Sequence, residues 1–146
     1  MNDRAVLLSI KPKYCELIAS GKKTVEVRKT RPKIPTPFKG YIYCTKGETV
    51  YFPKDIFGNE ALNGKVIGEF VCDGIASLKC DNGYHAAFNR HHNTCLTDDE
   101  IMKYANNGTA HYLNITNLKI YDTPKELSEF GLKRAPQSWC YVEDRQ

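Results

Sequence analysis

Long apolar runs are absent from the 146-residue chain, which also contains one tryptophan and two methionines. A membrane-spanning helix needs about 20 consecutive apolar residues, so the sequence predicts no spanning segment and no membrane partner. The first residues, Met1-Asn2-Asp3-Arg4, also lack the basic and apolar pattern of a signal peptide. We therefore expect a cytoplasmic protein.

Cys-x-x-Cys pairs are also missing, although the chain has six cysteines. Because most of them lie in apolar segments and no secretion signal is visible, we expect reduced, mainly buried thiols rather than a disulfide framework. One stretch leaves zinc open as an alternative, since two cysteines and two histidines could close a tetrahedral site. Its candidate ligands are Cys80, His85, His91, His92 and Cys95. The spacing is not that of a recognised zinc finger, so we expect a polar loop, no metal and no cofactor.

Acidic residues are scarce between positions 11 and 39, where nine Lys or Arg face two Glu. The net charge of the whole chain is +4, so this segment contributes +7 and the remainder −3. A local positive field of this kind indicates an anionic partner, most commonly nucleic acid, while a solvated basic face is the alternative. The predicted nucleic-acid surface consists of Lys22, Lys29, Arg31, Lys33 and Lys39.

Aromatic residues follow this segment in alternation with lysines. Such interleaving suits single-stranded nucleic acid, because aromatic rings stack on bases. The aromatic members are Tyr41, Tyr43, Tyr51 and Phe52, and the basic members are Lys39, Lys46 and Lys54. Core packing is the alternative for Tyr41 and Tyr43, which share one face of a predicted strand.

The pattern along the chain predicts a single α+β domain over residues 1–146, with five or six short strands and small helices around a curled sheet or barrel. Capping boxes at Thr97–Glu100 and Thr123–Glu126 predict two of the helices, and Pro12 opens another that ends at Gly21. Strands are predicted over 5–10, 24–29, 41–45, 65–72 with a possible extension to 78, 112–121 and 139–142.

The strand after Gly21 carries the most informative pattern, Gly-Lys-Lys-Thr-Val-Glu-Val-Arg. Alternation places Thr24, Glu26 and Arg28 on one face, with two valines on the other. A strand that buries valines and displays an acid, a base and a hydroxyl is typical of a site.

Together with other blocks, this pattern resembles the ASCH family of the PUA-like superfamily. Its G-x-K-x-x-E-x-R signature corresponds to Gly21, Lys23, Glu26 and Arg28 and follows a strand and helix that begin Leu-Ser-Ile-Lys-Pro. Further matching blocks, in order, are Val66–Phe70, Leu118–Tyr121 with Leu127–Ser128, and Ala135–Val142.

The resemblance implies a PUA-like β-barrel with flanking helices, a cleft beside the signature strand, and RNA or a modified nucleoside as the partner. One branch of the family removes the acetyl group of N4-acetylcytidine, with the lysine of the signature acting as a base. Lys23 matches that lysine, while Glu26 stands where the branch has a catalytic threonine. Glu100 is one candidate for the branch's glutamate. Some relatives are proposed metal-dependent ribonucleases, and no metal triad is evident here.

The predicted catalytic residues are therefore Lys23 and Glu26. The predicted ligand-binding residues are Ser9, Lys11, Lys23, Glu26, Arg28 and Trp139. Each has a structural alternative: a solvated lysine for Lys23, an exposed ion pair for Glu26 and Arg28, core packing for Trp139, and capping or solvation for Ser9 and Lys11. A lone histidine such as His111 is usually structural.

Three functions follow from these residues. The first is an RNA- or nucleotide-binding ASCH domain, the second a small amidohydrolase acting on a modified nucleoside, and the third a protein-interaction module. The sequence does not predict the oligomeric state.

Overall fold

The computed structural model of the protein describes residues 3–47, 62–80 and 93–144. Within these ranges the chain forms eight β-strands, two α-helices and one 3₁₀ helix. None of the helices in the described ranges is both long and apolar enough to cross a bilayer. In chain order the elements are β1 (Arg4–Ile10), α1 (Pro12–Ala19), β2 (Val25–Arg28), β3 (Phe38–Cys44), β4 (Lys65–Cys72), β5 (Ile75–Lys79), α2 (Asp98–Ala105), β6 (Thr109–Asn114), β7 (Thr116–Lys125), the 3₁₀ helix (Leu127–Phe130) and β8 (Trp139–Glu143).

The strands pair into two sheets. The first has the order β7-β4-β3-β1-β8 and contains one parallel pair, β1 with β3; the second has the order β2-β6-β5 and is antiparallel. The predicted α+β class is confirmed. The strand number is larger than the predicted five or six, and the ladders of the described residues form two open sheets instead of one closed barrel.

Two predicted strands are each divided between the sheets. The run from 65 to 78 breaks at Asp73–Gly74, so β4 lies in the first sheet and β5 in the second. The run from 112 to 121 breaks at Ile115 in the same way, between β6 and β7. The apolar pattern continues through both breaks because both sheets contribute to the same core cluster, in which Leu113 and Ile115 pack with Ile42.

One predicted capping box is correct and one is wrong. Thr97 begins α2, where its hydroxyl accepts from the backbone N–H of Glu100 at 3.1 Å. The box predicted at Thr123 does not form, because β7 continues to Lys125, which pairs with Val66. The 3₁₀ helix that follows is capped by Glu126 and the side chain of Glu129.

The signature strand β2 lies between helix α2 on one face and the first sheet on the other. Val25 and Val27 pack with Ile101 and Ala105 of α2 in one cluster. The opposite face of β2 turns towards the ends of β1 and β8. The strand is four residues long, shorter than the predicted 24–29, and all four are buried. Its polar residues are therefore set in the seam between the two sheets.

Candidate functional site

The turn that ends α1 directs the side chain of Lys23 into the interior of the protein. Gly21 takes a φ of +82°, a conformation that favours glycine, and the Lys23 backbone N–H donates to the carbonyl of Leu17 at 3.0 Å. The Lys23 side chain is then almost fully buried, at 2% exposure. Its Nζ donates to the Thr94 carbonyl at 2.5 Å and lies 3.3 Å from Oε1 of Glu26. The interpretation of Lys23 as a solvated surface lysine is therefore wrong.

Glu26 is the acceptor shared by two buried cations. Its Oε1 faces Lys23, while its Oε2 accepts from Nε of Arg28 at 2.9 Å and from Nη2 at 2.5 Å. Glu26 is 6% exposed and Arg28 8% exposed. The alternative of an ordinary exposed ion pair is therefore wrong, and so is the expectation that this face of the strand displays its polar groups to solvent.

The guanidinium of Arg28 joins β2 to the first sheet. Its Nη2 donates to the Ser9 carbonyl at 2.8 Å, and its Nη1 donates to the carbonyl and hydroxyl of Ser138 at 3.0 and 3.2 Å. Together with the two bonds to Glu26, these contacts use the five N–H donors of an arginine. Arg28 therefore holds the site together, with its donors already bound to protein acceptors.

A cleft of about 810 Å³ opens above this buried cluster, between α1, β2, α2 and the segment that leads into β8. Seven of the sequence-predicted residues line it: Ser9, Lys11, Lys23, Glu26, Arg28, Lys29 and Glu100. Ser9 also donates its hydroxyl to the Pro136 carbonyl at 2.7 Å, which ties the cleft wall to the approach to β8.

The lining of the cleft is positively charged. Five Lys or Arg and two Glu line it, a formal balance of +3. Three of the cations, Lys11, Lys29 and Lys103, are exposed and make no ion pair within the described part of the chain. The buried cluster accounts for +1 of the balance, so most of the positive charge lies at the rim, where an anionic ligand can reach it.

Two tyrosines in the cleft were missed by the sequence analysis. Tyr104, on α2, is 36% exposed, and Nζ of Lys29 lies 4.9 Å from its ring centroid. Burial raises the pKa of Tyr104, while the positive charge of Arg28 and a hydrogen bond with the Lys29 backbone act in the opposite direction. Tyr14, on α1, lies under the ammonium groups of Lys13 and Lys23. The available signal was Lys103-Tyr104, a base beside an aromatic residue on a capped helix.

Glu100 lines the cleft but is committed to capping α2. Its Oε1 accepts from the Thr97 backbone N–H at 2.9 Å. That hydrogen bond lowers the pKa of the Glu100 carboxyl, which holds it in the charged form.

Trp139 lies outside the set of residues that line the cleft. Its indole N–H donates to the Thr30 hydroxyl at 3.0 Å, and its ring packs edge-on against Tyr141 at 5.2 Å between centroids. The ring also packs against the core cluster between the sheets. These contacts agree with the core-packing alternative.

The predicted nucleic-acid surface is only partly available. Lys22, Lys29, Arg31 and Lys33 are exposed. Lys39 instead lies on β3 with its Nζ 3.2 Å from Glu69 and 3.1 Å from Asp144, and these partners raise its pKa against the effect of burial. The interleaved aromatics are also changed: Tyr41 and Tyr43 are buried in the core, so their core-packing alternative is correct. Tyr51, Phe52 and Lys54 lie outside the described residues.

Of the candidate zinc ligands, the structure describes only the first and the last, Cys80 and Cys95. Cys80 is buried and Cys95 exposed, and His85, His91 and His92 lie outside the described residues. Among the residues that are described, no group of three or more metal-ligating side chains comes together. None of the six cysteines, all of which are described, forms a disulfide, and four of them are buried, in agreement with the predicted burial.

Comparisons with known proteins agree on one family. The ASCH domain profile matches residues 8–126. The solved ASCH protein of Zymomonas mobilis is similar, with a TM-score of 0.71 at 19% identity over 97% of this chain and 90% of that protein. Its serine-to-alanine variant gives 0.71 at 19% identity over 98% and 92%. Its tyrosine-to-phenylalanine variant gives 0.68 at 20% identity over 95% and 90%. No curated protein matches the chain. The chain belongs to the ASCH domain family.

Proposed function

We propose that the protein binds single-stranded RNA and holds one nucleotide of the strand in the cleft beside β2. The observation that carries the proposal is the composition of the cleft. Its lining includes exposed cations and an exposed aromatic ring and has a formal charge of +3. A volume of about 810 Å³ lies in the range of small-molecule sites. ASCH domains are generally RNA-binding, which agrees with this composition.

The cleft residues divide into a floor and a rim. Lys23, Glu26 and Arg28 form the buried floor and bind mainly to one another and to backbone carbonyls. Oε1 of Glu26 faces a single protein donor and retains acceptor capacity, which suits an exocyclic amine of a base. At the rim, Lys11, Lys29 and Lys103 suit phosphates, and Tyr104 suits stacking on the base.

Replacing Tyr104 with alanine is expected to weaken RNA binding by about 1–3 kcal/mol, roughly 5- to 150-fold in Kd, because stacking on the base is lost. Tyr104→Phe should stay close to the parent, since the ring remains. Fluorescence anisotropy with a labelled single-stranded 12-mer measures both variants, and circular dichroism checks that they are folded. Equal affinities of the alanine variant and the parent would contradict a stacking role for Tyr104.

The amidohydrolase alternative has one observation in its favour: Lys23, Glu26 and Glu100 line the same cleft. Against it, the Lys23 ammonium donates to the Thr94 carbonyl and forms an ion pair with Glu26, and Glu100 serves the cap of α2. Incubation with N4-acetylcytidine followed by chromatography for cytidine separates the two functions. Cytidine that forms with the parent and not with Lys23→Met would favour the hydrolase. Saturable binding with no cytidine formed would favour the binding domain.

A protein-interaction module has less support. Among the described residues, Tyr104 is the only large hydrophobic residue that is exposed, and it lies in the cleft. A single exposed ring does not make the broad apolar patch that marks most protein interfaces.

A further inference from the structure

A second polar cluster lies next to the cleft, on the three-stranded sheet. Oγ of Ser77 on β5 lies 2.7 Å from Nδ1 of His111 on β6. Arg31, in the segment after β2, donates from Nη1 to the same hydroxyl at 3.2 Å. Three separate parts of the chain therefore place a guanidinium, a hydroxyl and an imidazole together.

The strand register connects this cluster to the floor of the cleft. His111 pairs with Arg28 on one side and with Ser77 on the other. Residues opposite one another in antiparallel strands project to the same face, so the three side chains form one row across the sheet. Neighbouring strands lie about 4.8 Å apart, which puts Ser77 about 10 Å from Arg28. A nucleic-acid strand covers that distance in a few nucleotides.

Much of the hydrogen-bonding capacity of the cluster is unused. Within the described residues Arg31 uses one of its N–H donors, and Nε2 of His111 has no partner. Burial first, and then the Arg31 charge, lowers the pKa of His111, so its imidazole is neutral near pH 7.

The charges near His111 are predominantly positive. Arg28 lies opposite His111 in the strand ladder, and Arg31 contacts Ser77 on the other side of the ring. The acidic side chains of the surrounding elements are already engaged: Glu26 binds Lys23 and Arg28, and Asp73 accepts from Asn114 at 2.7 Å. No carboxylate of the described residues contacts the cluster, and Arg31 and Ser77 are exposed.

We propose that Arg31, Ser77 and His111 form a phosphate subsite that binds the backbone of the RNA strand where it leaves the cleft. This inference rests on the proposed function. An arginine fork and a hydroxyl suit phosphate oxygens, and an imidazole that gains a proton beside the anion adds a charged donor. A nucleophilic serine is less well supported, because the described residues provide no carboxylate to orient His111.

The direct test follows the His111 ring by NMR during a pH titration, with and without inorganic phosphate at matched ionic strength. The His111 signal is assigned from its absence in His111→Gln. An anion beside the ring favours the imidazolium, so phosphate should raise the pKa of His111, by about half a unit or more. The increase should be lost in Arg31→Gln and kept in Lys119→Gln, which removes one charge from the distant strand β7. An unchanged pKa of His111 in phosphate would overturn the subsite.

A second measurement tests whether the phosphate belongs to RNA. Arg31→Gln should weaken binding of a single-stranded RNA 12-mer about 5- to 10-fold in Kd. It should also reduce the slope of log Kd against log salt by about 0.7. Binding of a mononucleotide in the cleft should change less than about twofold, since Arg31 does not line it. If Arg31→Gln loses no more affinity for the 12-mer than Lys119→Gln does, the cluster does not bind the RNA backbone and is at most a site for free phosphate. If the parent binds neither the 12-mer nor the mononucleotide, the proposed function fails, and the phosphate titration still decides the subsite.

Discussion

Replacing Glu26 with glutamine is expected to lower the free energy of unfolding by about 3–5 kcal/mol. Glu26 is the one carboxylate between the ammonium of Lys23 and the guanidinium of Arg28, and all three side chains are buried. Glutamine keeps the size of the side chain and removes its charge. Two cations then remain in the interior with no anion between them, which is far more costly than the loss of an exposed pair.

Urea unfolding of the parent and the variant measures this effect. Glu16→Gln is the matched control, because Glu16 lies exposed on α1 and makes no ion pair among the described residues. Adding Lys23→Met to Glu26→Gln removes one of the stranded cations, so the double variant should lose less stability than the sum of the two single variants. A Glu26→Gln protein as stable as Glu16→Gln would show that the buried cluster does not hold the cleft floor.

Replacing Arg28 with lysine should lower the free energy of unfolding by about 2–3 kcal/mol, although the charge is kept. The guanidinium binds Glu26, Ser9 and Ser138 at the same time. A lysine has three donors on one nitrogen and cannot bridge acceptors on both sides of the fork. The Ser9 and Ser138 carbonyls would each lose the hydrogen bond from the guanidinium, and with these bonds the link between β2 and the first sheet.

Thermal and urea unfolding detect this loss, and Arg134→Lys is the control, because Arg134 is exposed and makes no ion pair or side-chain hydrogen bond among the described residues. We also expect weaker RNA binding under conditions in which Arg28→Lys is folded, since Ser9 and Ser138 form part of the cleft wall. A variant with parental stability that fails only in RNA binding would point instead to a direct contact between Arg28 and the ligand.

The sequence identified the right strand but not its environment. Alternation in residues 24–28 predicts which side chains share a face, and Val25 and Val27 do pack together beneath α2. Alternation cannot show whether the other face of the strand is exposed to solvent or buried. That depends on Ser9 and Ser138, which are brought to Arg28 from positions 19 and 110 residues away in the chain.

The same long-range contacts explain the other differences. Lys39 reads as a surface cation because its partner Asp144 lies at the far end of the sequence, on the segment after β8. The run from 112 to 121 reads as one strand because nothing in its composition marks the change of sheet at Ile115. Tyr104 was missed because its exposure is set by how α2 packs beside β2, whereas the capping box that begins α2 is a local signal and was predictable.

The central claim is that the rim of the cleft binds RNA through exposed cations that lie above the buried cluster of Lys23, Glu26 and Arg28. The most direct test is the salt dependence of 12-mer RNA binding for Lys29→Gln/Lys103→Gln, matched with Lys119→Gln/Lys133→Gln away from the cleft lining. The parent should show a steep linear fall of log affinity with log salt. The rim pair should reduce that slope by about 1.4, at about 0.7 for each lost phosphate contact, while the matched pair leaves it unchanged. Equal slopes for the two double variants, or binding by the parent that does not depend on salt, would contradict the account.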